Sequence, residues 1–191
     1  MKKLLLHITS LIIALNVSAQ KGFFYLNGGL SLFLAGAETS ENLTVLPSIT
    51  IGPGFRLLNT KEFSISADFP VSIGASGDID DSYFGINAPA ILNLNFGYGA
   101  SLKSTSKFGI SLGAGVGYHY SYNEYYDPFY SDEYDDLSLA SYVFQSGFFF
   151  RDKHPEKGIS GGGLRFFYMT NFNQSPIRKN VIGIGLLVKD L

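Results

Sequence analysis

Four sets of residues carry side chains able to do chemistry. His119-Tyr120-Ser121 sets an imidazole two residues from a hydroxyl. In that pairing a base takes the proton of a serine nucleophile, and Glu133 further along would have to orient the ring. The stretch Ser121–Leu137, SYNEYYDPFYSDEYDDL, holds six acids and no base. Its Asp132, Glu133, Asp135 and Asp136 are hard oxygen ligands of the kind divalent cations take, but their spacing does not match a calcium-binding helix-loop-helix segment and the central glycine is missing. The same stretch sets Tyr125, Tyr126, Asp127, Tyr130 and Tyr134 among those acids. Tyrosine gives rigid contact area plus a hydroxyl, which suits a protein or sugar partner. Arg56, Asp68 and Arg165 form a third set, isolated charges in uncharged surroundings. The fourth, Gly161-Gly162-Gly163, would cradle a phosphate only where it opens a helix.

The elements that must position these residues follow a period of two. Phe24, Leu26, Leu30, Leu32 and Leu34 share one parity, while Tyr25, Asn27, Gly29 and Ser31 hold the other. The alternation returns in seven further runs: Val45–Leu57, Phe63–Ile73, Phe84–Tyr98, Phe108–Tyr118, Tyr142–Phe150, Leu164–Tyr168 and Ile182–Val188. Strict alternation marks half-buried strands. Eight strands result, and no stretch is left for a helix. The glycine run therefore opens no helix, and a phosphate loop is discarded.

The make-up of the two parities decides which face is outside. A soluble barrel carries Lys and Glu on its polar exterior. Here the polar parity holds Gly, Ser, Thr and Asn, and almost all charges fall between the runs. Small uncharged polar residues suit a narrow interior, and an unbroken apolar parity suits lipid, as in transmembrane barrels. Closure pairs every edge, as a sheet in lipid requires. Aromatics on the apolar parity gather at strand ends, where interfacial girdles are expected. Phe24, Phe55, Phe63, Phe96, Tyr98, Phe108, Phe148 and Phe150 would make one girdle, and Phe84, Tyr118, Tyr142 and Tyr168 the other.

Charge and composition fit an exported membrane barrel. Met1–Gln20 has a basic start, an apolar middle and Val17-Ser18-Ala19, which reads as a signal peptide over residues 1–19 ahead of a barrel domain over 20–191. Beyond residue 19 there are 12 basic and 16 acidic residues, so the basic footprint of a nucleic-acid binder is absent. Cysteine is absent, which excludes a disulfide scaffold and thiol chemistry. The connections are expected to alternate, with long ones at 36–42, 75–82, 121–136 and 171–180 and short ones at 59–62, 101–107 and 152–158. The long set carries eleven acids and two bases. Bacterial barrels keep long loops outside and short turns in the periplasm.

The chain resembles the small outer-membrane β-barrel proteins of the Bacteroidetes type, a porin-like group. The carriers are Val17-Ser18-Ala19-Gln20, the strand with Ala88-Pro89-Ala90 leading into Asn95-Phe96-Gly97-Tyr98-Gly99-Ala100-Ser101, and Gly113-Ala114-Gly115-Val116-Gly117. The resemblance implies an all-β, eight-stranded antiparallel up-and-down transmembrane barrel in a Gram-negative outer membrane, with outer-membrane lipid and the barrel assembly machinery as partners. Such barrels commonly end on an aromatic residue, whereas this chain ends Val188-Lys189-Asp190-Leu191. His119-Tyr120-Ser121 is similar to the His-x-Ser arrangement of outer-membrane lipid A deacylases. It departs from them in facing inward and in having no Asn directly after Ser121.

The function expected is a monomeric, non-enzymatic barrel with a largely filled lumen, no cofactor and no metal, acting structurally or through its acidic Tyr-rich loops on an unidentified extracellular ligand. A narrow channel is the alternative, and a lipid A-modifying enzyme stands behind it. Inside, Asp68 and Arg165 share the inward parity at similar heights on opposed strands, so they are expected to pair, with Arg56 nearby in the same lumen. Inward glycines would make room for Tyr25, Phe33, Phe149 and Phe167.

Overall fold

A computed structural model describes residues 23–37, 44–77, 81–101, 103–125, 133–151, 161–172 and 179–189. The signal-peptide segment, Tyr126, Asp127, Tyr130 and Asp132 lie outside the described residues. The strands are β1 (Phe24–Ala37), β2 (Thr44–Asn59), β3 (Phe63–Asp68), β4 (Val71–Gly77), β5 (Asp81–Gly97), β6 (Phe108–Tyr125), β7 (Glu133–Arg151), β8 (Gly161–Asn171) and β9 (Lys179–Lys189). Sequential neighbours other than β3 and β4 pair antiparallel, and β1 pairs with both β2 and β9, which closes the ring.

Nine elements make eight barrel strands. Both β3 and β4 pair with β2 on one side and β5 on the other, in one continuous register. The run expected to be unbroken from Phe63 to Ile73 is interrupted at Phe69-Pro70 because proline has no N–H to give the ladder. Phe69 still donates its N–H to Pro53 O at 3.0 Å, so Phe69 faces β2 and Pro70 faces β5. The flanking pairs Asp68↔Ile91 and Ser72↔Asn87 set Pro70 opposite Pro89, a second residue without an N–H.

The register also gives the stagger. Starting at Phe148, the paired residues run Leu164, Leu186, Leu30, Ile49, Ile73, Ile86 and Tyr120, then return to β7 at Ser138, ten residues from the start. A stagger of ten over eight strands tilts them by about 40° and leaves an interior just wide enough for side chains. The outer face is apolar over its height, with Leu30, Ile49, Ile73 and Leu186 all more than half exposed. Aromatic pairs rim its lower end: Phe24–Phe55 at 5.5 Å, Phe63–Phe96 at 5.1 Å and Phe108–Phe148 at 5.7 Å between ring centroids.

Three expectations need correction. Tyr98 is not on the outer girdle but buried, because Gly97 (φ 71°) turns the chain inward after β5. The connections do not alternate long and short: 78–80 is brief, whereas 98–107 and 152–160 at the opposite end are long. Much of the segment taken as the loop 121–136 is strand. Residues up to Tyr125 extend β6, and Glu133, Tyr134, Asp135 and Asp136 begin β7, with pairs Tyr125↔Glu133, Asn123↔Asp135 and Tyr122↔Asp136. With 17, 18 and 19 residues, β5, β6 and β7 outreach β8 and β9, which have 11 each.

Inward glycines make room in a repeated way. In each case a glycine on the middle strand of three separates two larger residues in the same row, and they meet over it. Phe33 and Phe167 flank Gly183 and their rings lie 4.9 Å apart. Asn93 and Gln145 flank Gly113, and Gln145 Nε2 donates to Asn93 Oδ1. Tyr25 and Asp68 flank Gly54, and Tyr25 Oη donates to Asp68 Oδ1. A Cβ at Gly54 would collide with the Tyr25 ring. Gly54→Ala is therefore expected to destabilise the barrel by about 1–3 kcal/mol through overpacking, read as a lower unfolding midpoint in detergent. An unchanged midpoint would show that the ring has other room.

Candidate functional site: the filled lumen and its two ends

The middle of the lumen is built around Asp68, 4% exposed at the end of β3. The strand alternation points it inward, and the break at Phe69-Pro70 follows it at once. Its Oδ1 accepts from Tyr25 Oη and from Ser66 Oγ at 3.2 Å. Its Oδ2 lies 3.6 Å from Nη2 of Arg165, which reaches over from β8. Asn95 Nδ2 in turn donates to Ser66 Oγ at 3.0 Å and Ser64 Oγ at 3.3 Å. Arg56 does not stand at the same height as the pair. It lies lower, its guanidinium 4.3 Å from the Tyr25 ring centroid, its Nε donating to Ala100 O at 3.1 Å. The three isolated charges thus belong to one buried system, joined through Tyr25. Sequence reading named Tyr25 only as a filler, although an aromatic on the polar parity was the available signal.

Above this system the lumen changes character. Phe33, Leu46, Ile91, Leu139, Val143, Met169 and Val181 form one apolar cluster inside the barrel. They share the inward parity with polar residues, so parity alone did not separate them. A cavity of about 20 Å³ lies between the two regions, bordered by Arg165, Gln145, Asn87, Pro70 and Pro89 among others. That is room for about one water molecule. Around it the described side chains pack against one another, as an eight-stranded barrel permits.

His119 sits fully buried in the upper lumen, and neither ring nitrogen has a hydrogen-bond partner. The His–Ser bond that would activate Ser121 is therefore not made. Of the acidic and tyrosine residues, Glu133, Tyr134, Asp135 and Asp136 follow one another along β7. Among the described residues no group of three or more His, Asp or Glu side chains comes together to hold a metal.

At the lower end, the connection after β5 folds under the lumen. Tyr98 packs with Phe149 and Leu187, and Arg151 lies 5.2 Å from its ring. Glu62, in the turn between β2 and β3, accepts from Ser104 Oγ at 2.7 Å, Ser106 Oγ at 2.8 Å and Thr105 N at 3.0 Å. These donors, Ser104 foremost, hold its carboxyl down at about 2 from an ordinary 4.5. No feature of the sequence singled out Glu62, because its partners lie some forty residues away.

No family model matches this chain. No curated protein matches it either. Among solved structures it is similar to the attachment invasion locus protein Ail of Yersinia pestis, at 9% identity and a TM-score of 0.55 over 89% of this chain and 99% of that one. Ail in complex with the heparin analogue sucrose octasulfate gives a TM-score of 0.51 at the same identity and coverage. At such identities the likeness is one of fold, an antiparallel up-and-down barrel.

Two outcomes follow. Asp68→Asn and Arg165→Met should each destabilise the barrel, by about 3–5 kcal/mol where the pair is fully desolvated, and the double variant should lose less than the sum. Strictly additive unfolding energies in detergent would show that the pair does not interact. The second concerns pH. The Glu62 carboxyl titrates lower when folded, so its contribution is complete above pH 4.5 and disappears as pH falls through about 2. The stability difference between the unaltered chain and Glu62→Ala should shrink over that window; a difference constant from pH 6 to pH 2 would sink the assignment.

Proposed function

We propose that this chain is a monomeric, non-enzymatic barrel of the outer membrane, related to the Bacteroidetes-type group, that binds partners at the cell surface through the extension of β5, β6 and β7. Outer-membrane lipid covers its apolar outer face, and the barrel assembly machinery inserts it. Its acidic end faces outside, and both chain termini lie in the periplasm. The apolar outer face, the aromatic pairs at its lower rim and the start of β1 and end of β9 at that same lower end support this address.

The observation that carries the binding role is the extension itself. From Ser121 to Leu137 the chain has six acids and no base, and it continues β6 and β7 past the end of β8. The β7 residues before Ala140 have β6 on one side, whereas bonding toward β8 begins with Phe172 N donating to Ala140 O and the pair Ser141↔Asn171. Among the described residues, no strand pairs with β7 from Glu133 to Leu137 on the side away from β6. An acidic strand edge favours an extended, positively charged polypeptide, which adds backbone pairing to charge attraction. Ail binds a heparin analogue; a polysulfate would be repelled by this acidic surface.

The test uses the purified barrel in lipid nanodiscs, with a lysine-rich peptide and heparin as probes. The peptide should be retained and heparin not. Replacing Glu133, Asp135 and Asp136 with amides should weaken peptide retention several-fold. Heparin binding, or peptide retention that ignores the amides, would overturn the reading. Orientation has its own check. A protease site inserted beside Pro128 should be cut on intact cells, and one beside Thr105 should not; the reverse pattern would invert the topology.

A further inference from the structure

The two ends of the lumen are closed by different means. The upper seal is a layer of apolar side chains belonging to the strands themselves. To open it the wall would have to deform. The lower seal is a connection. Tyr98, Gly99, Ala100 and Ser101 are all buried, although the strands they join could be linked along the rim. Two glycines with positive φ, Gly97 at 71° and Gly99 at 82°, set the turn that brings this piece under the barrel. A Cβ at Gly161 would collide with the Tyr98 ring, so β8 is shaped to receive it.

Apart from the buried bond from Arg56 Nε to Ala100 O, what holds the piece in place stands at the rim. Glu62 takes the hydroxyls of Ser104 and Ser106 and the N–H of Thr105. Arg151 Nη2 donates to Ser104 O, and Ser101 Oγ donates to Lys61 O at 2.7 Å. Directly above lie Ser64, Ser66 and Asn95, a polar region that water would wet. A short connection anchored by one ring and otherwise tied mainly by hydrogen bonds near the solvent edge opens at lower cost than the strands around it.

We propose that Tyr98–Ser101 is a lid over the lower lumen, hinged at Gly97 and Gly99 and held shut by the Glu62 carboxylate. Its release admits water and small solutes to the polar region below the Asp68–Arg165 pair, while the apolar upper seal stays closed. This device is independent of the surface-binding role: it concerns the opposite end of the barrel.

The chain has no cysteine, so single cysteines report access cleanly. Ser64→Cys places a thiol just above the lid, and Ser141→Cys places one in the upper lumen; both positions are fully buried. Each is reacted in nanodiscs with a small trimethylammonium thiosulfonate, with and without Glu62→Ala, and folding is verified by the gel shift between unboiled and boiled protein. The expected result is a rise of roughly tenfold in labelling at Ser64→Cys, the factor given by a modest shift in a local opening equilibrium, with no change at Ser141→Cys. Glu62→Gln, which keeps the acceptor oxygen, should fall between the two. Equal acceleration at both thiols would mean general loosening and overturn the lid. So would unchanged labelling at Ser64→Cys in a folded Glu62→Ala barrel.

Discussion

Lumen width is the constraint on which the rest of this structure depends. A stagger of ten over eight strands leaves an interior that cannot hold full side chains at every inward position. The chain meets this by placing glycine on the strand between two larger residues, so that Tyr25 reaches Asp68 over Gly54 and Phe33 reaches Phe167 over Gly183. The hydrogen bonds and ring contacts of the interior are consequences of those absences. Because Gly54 leaves the path clear, the carboxylate of Asp68 is bonded by a phenol as well as facing a guanidinium. A buried charge without such partners would be strongly destabilising.

The fold was largely legible because the signal is a period of two repeated eight times, and parity sorted Leu30 from Ser31 and Ile49 from Thr50 without ambiguity. Parity says which face a residue is on, not what stands opposite. Val143 and Gln145 share a face, yet one lies in the apolar upper layer and the other bonds Asn93. That difference is fixed by register between strands more than fifty residues apart. Tyr98 was misplaced for a related reason. The alternation was carried one residue past Gly97, where a positive φ ends it. The acidic segment was read as loop because charge and tyrosine obscured its alternation, while pairing to β6 keeps it in strand.

The interior is also asymmetric along the axis. Charges and hydroxyls fill the lower half, and aliphatic and aromatic groups fill the upper half, with His119 held uncompensated among the latter. Buried polar atoms with no partner are uncommon and costly. Those of His119 lie in the upper lumen, while Gln145 and Arg165 carry theirs beside the small cavity.

The meeting of Pro70 and Pro89 has a mechanical meaning. In an antiparallel pair facing each other this way, the two residues should exchange two N–H to carbonyl bonds. Here neither has a hydrogen to offer, so two successive rungs are missing between β4 and β5. They are missing at the height of the small cavity that both prolines border. Where Pro53 of β2 meets Phe69 one bond of the pair survives, because Phe69 still donates its N–H to Pro53 O. Under lateral tension, such as thinning or curvature of the surrounding bilayer, the wall would yield first along this line. The barrel therefore carries a built-in weak seam, set beside its buried ion pair and away from the extension that reaches outward.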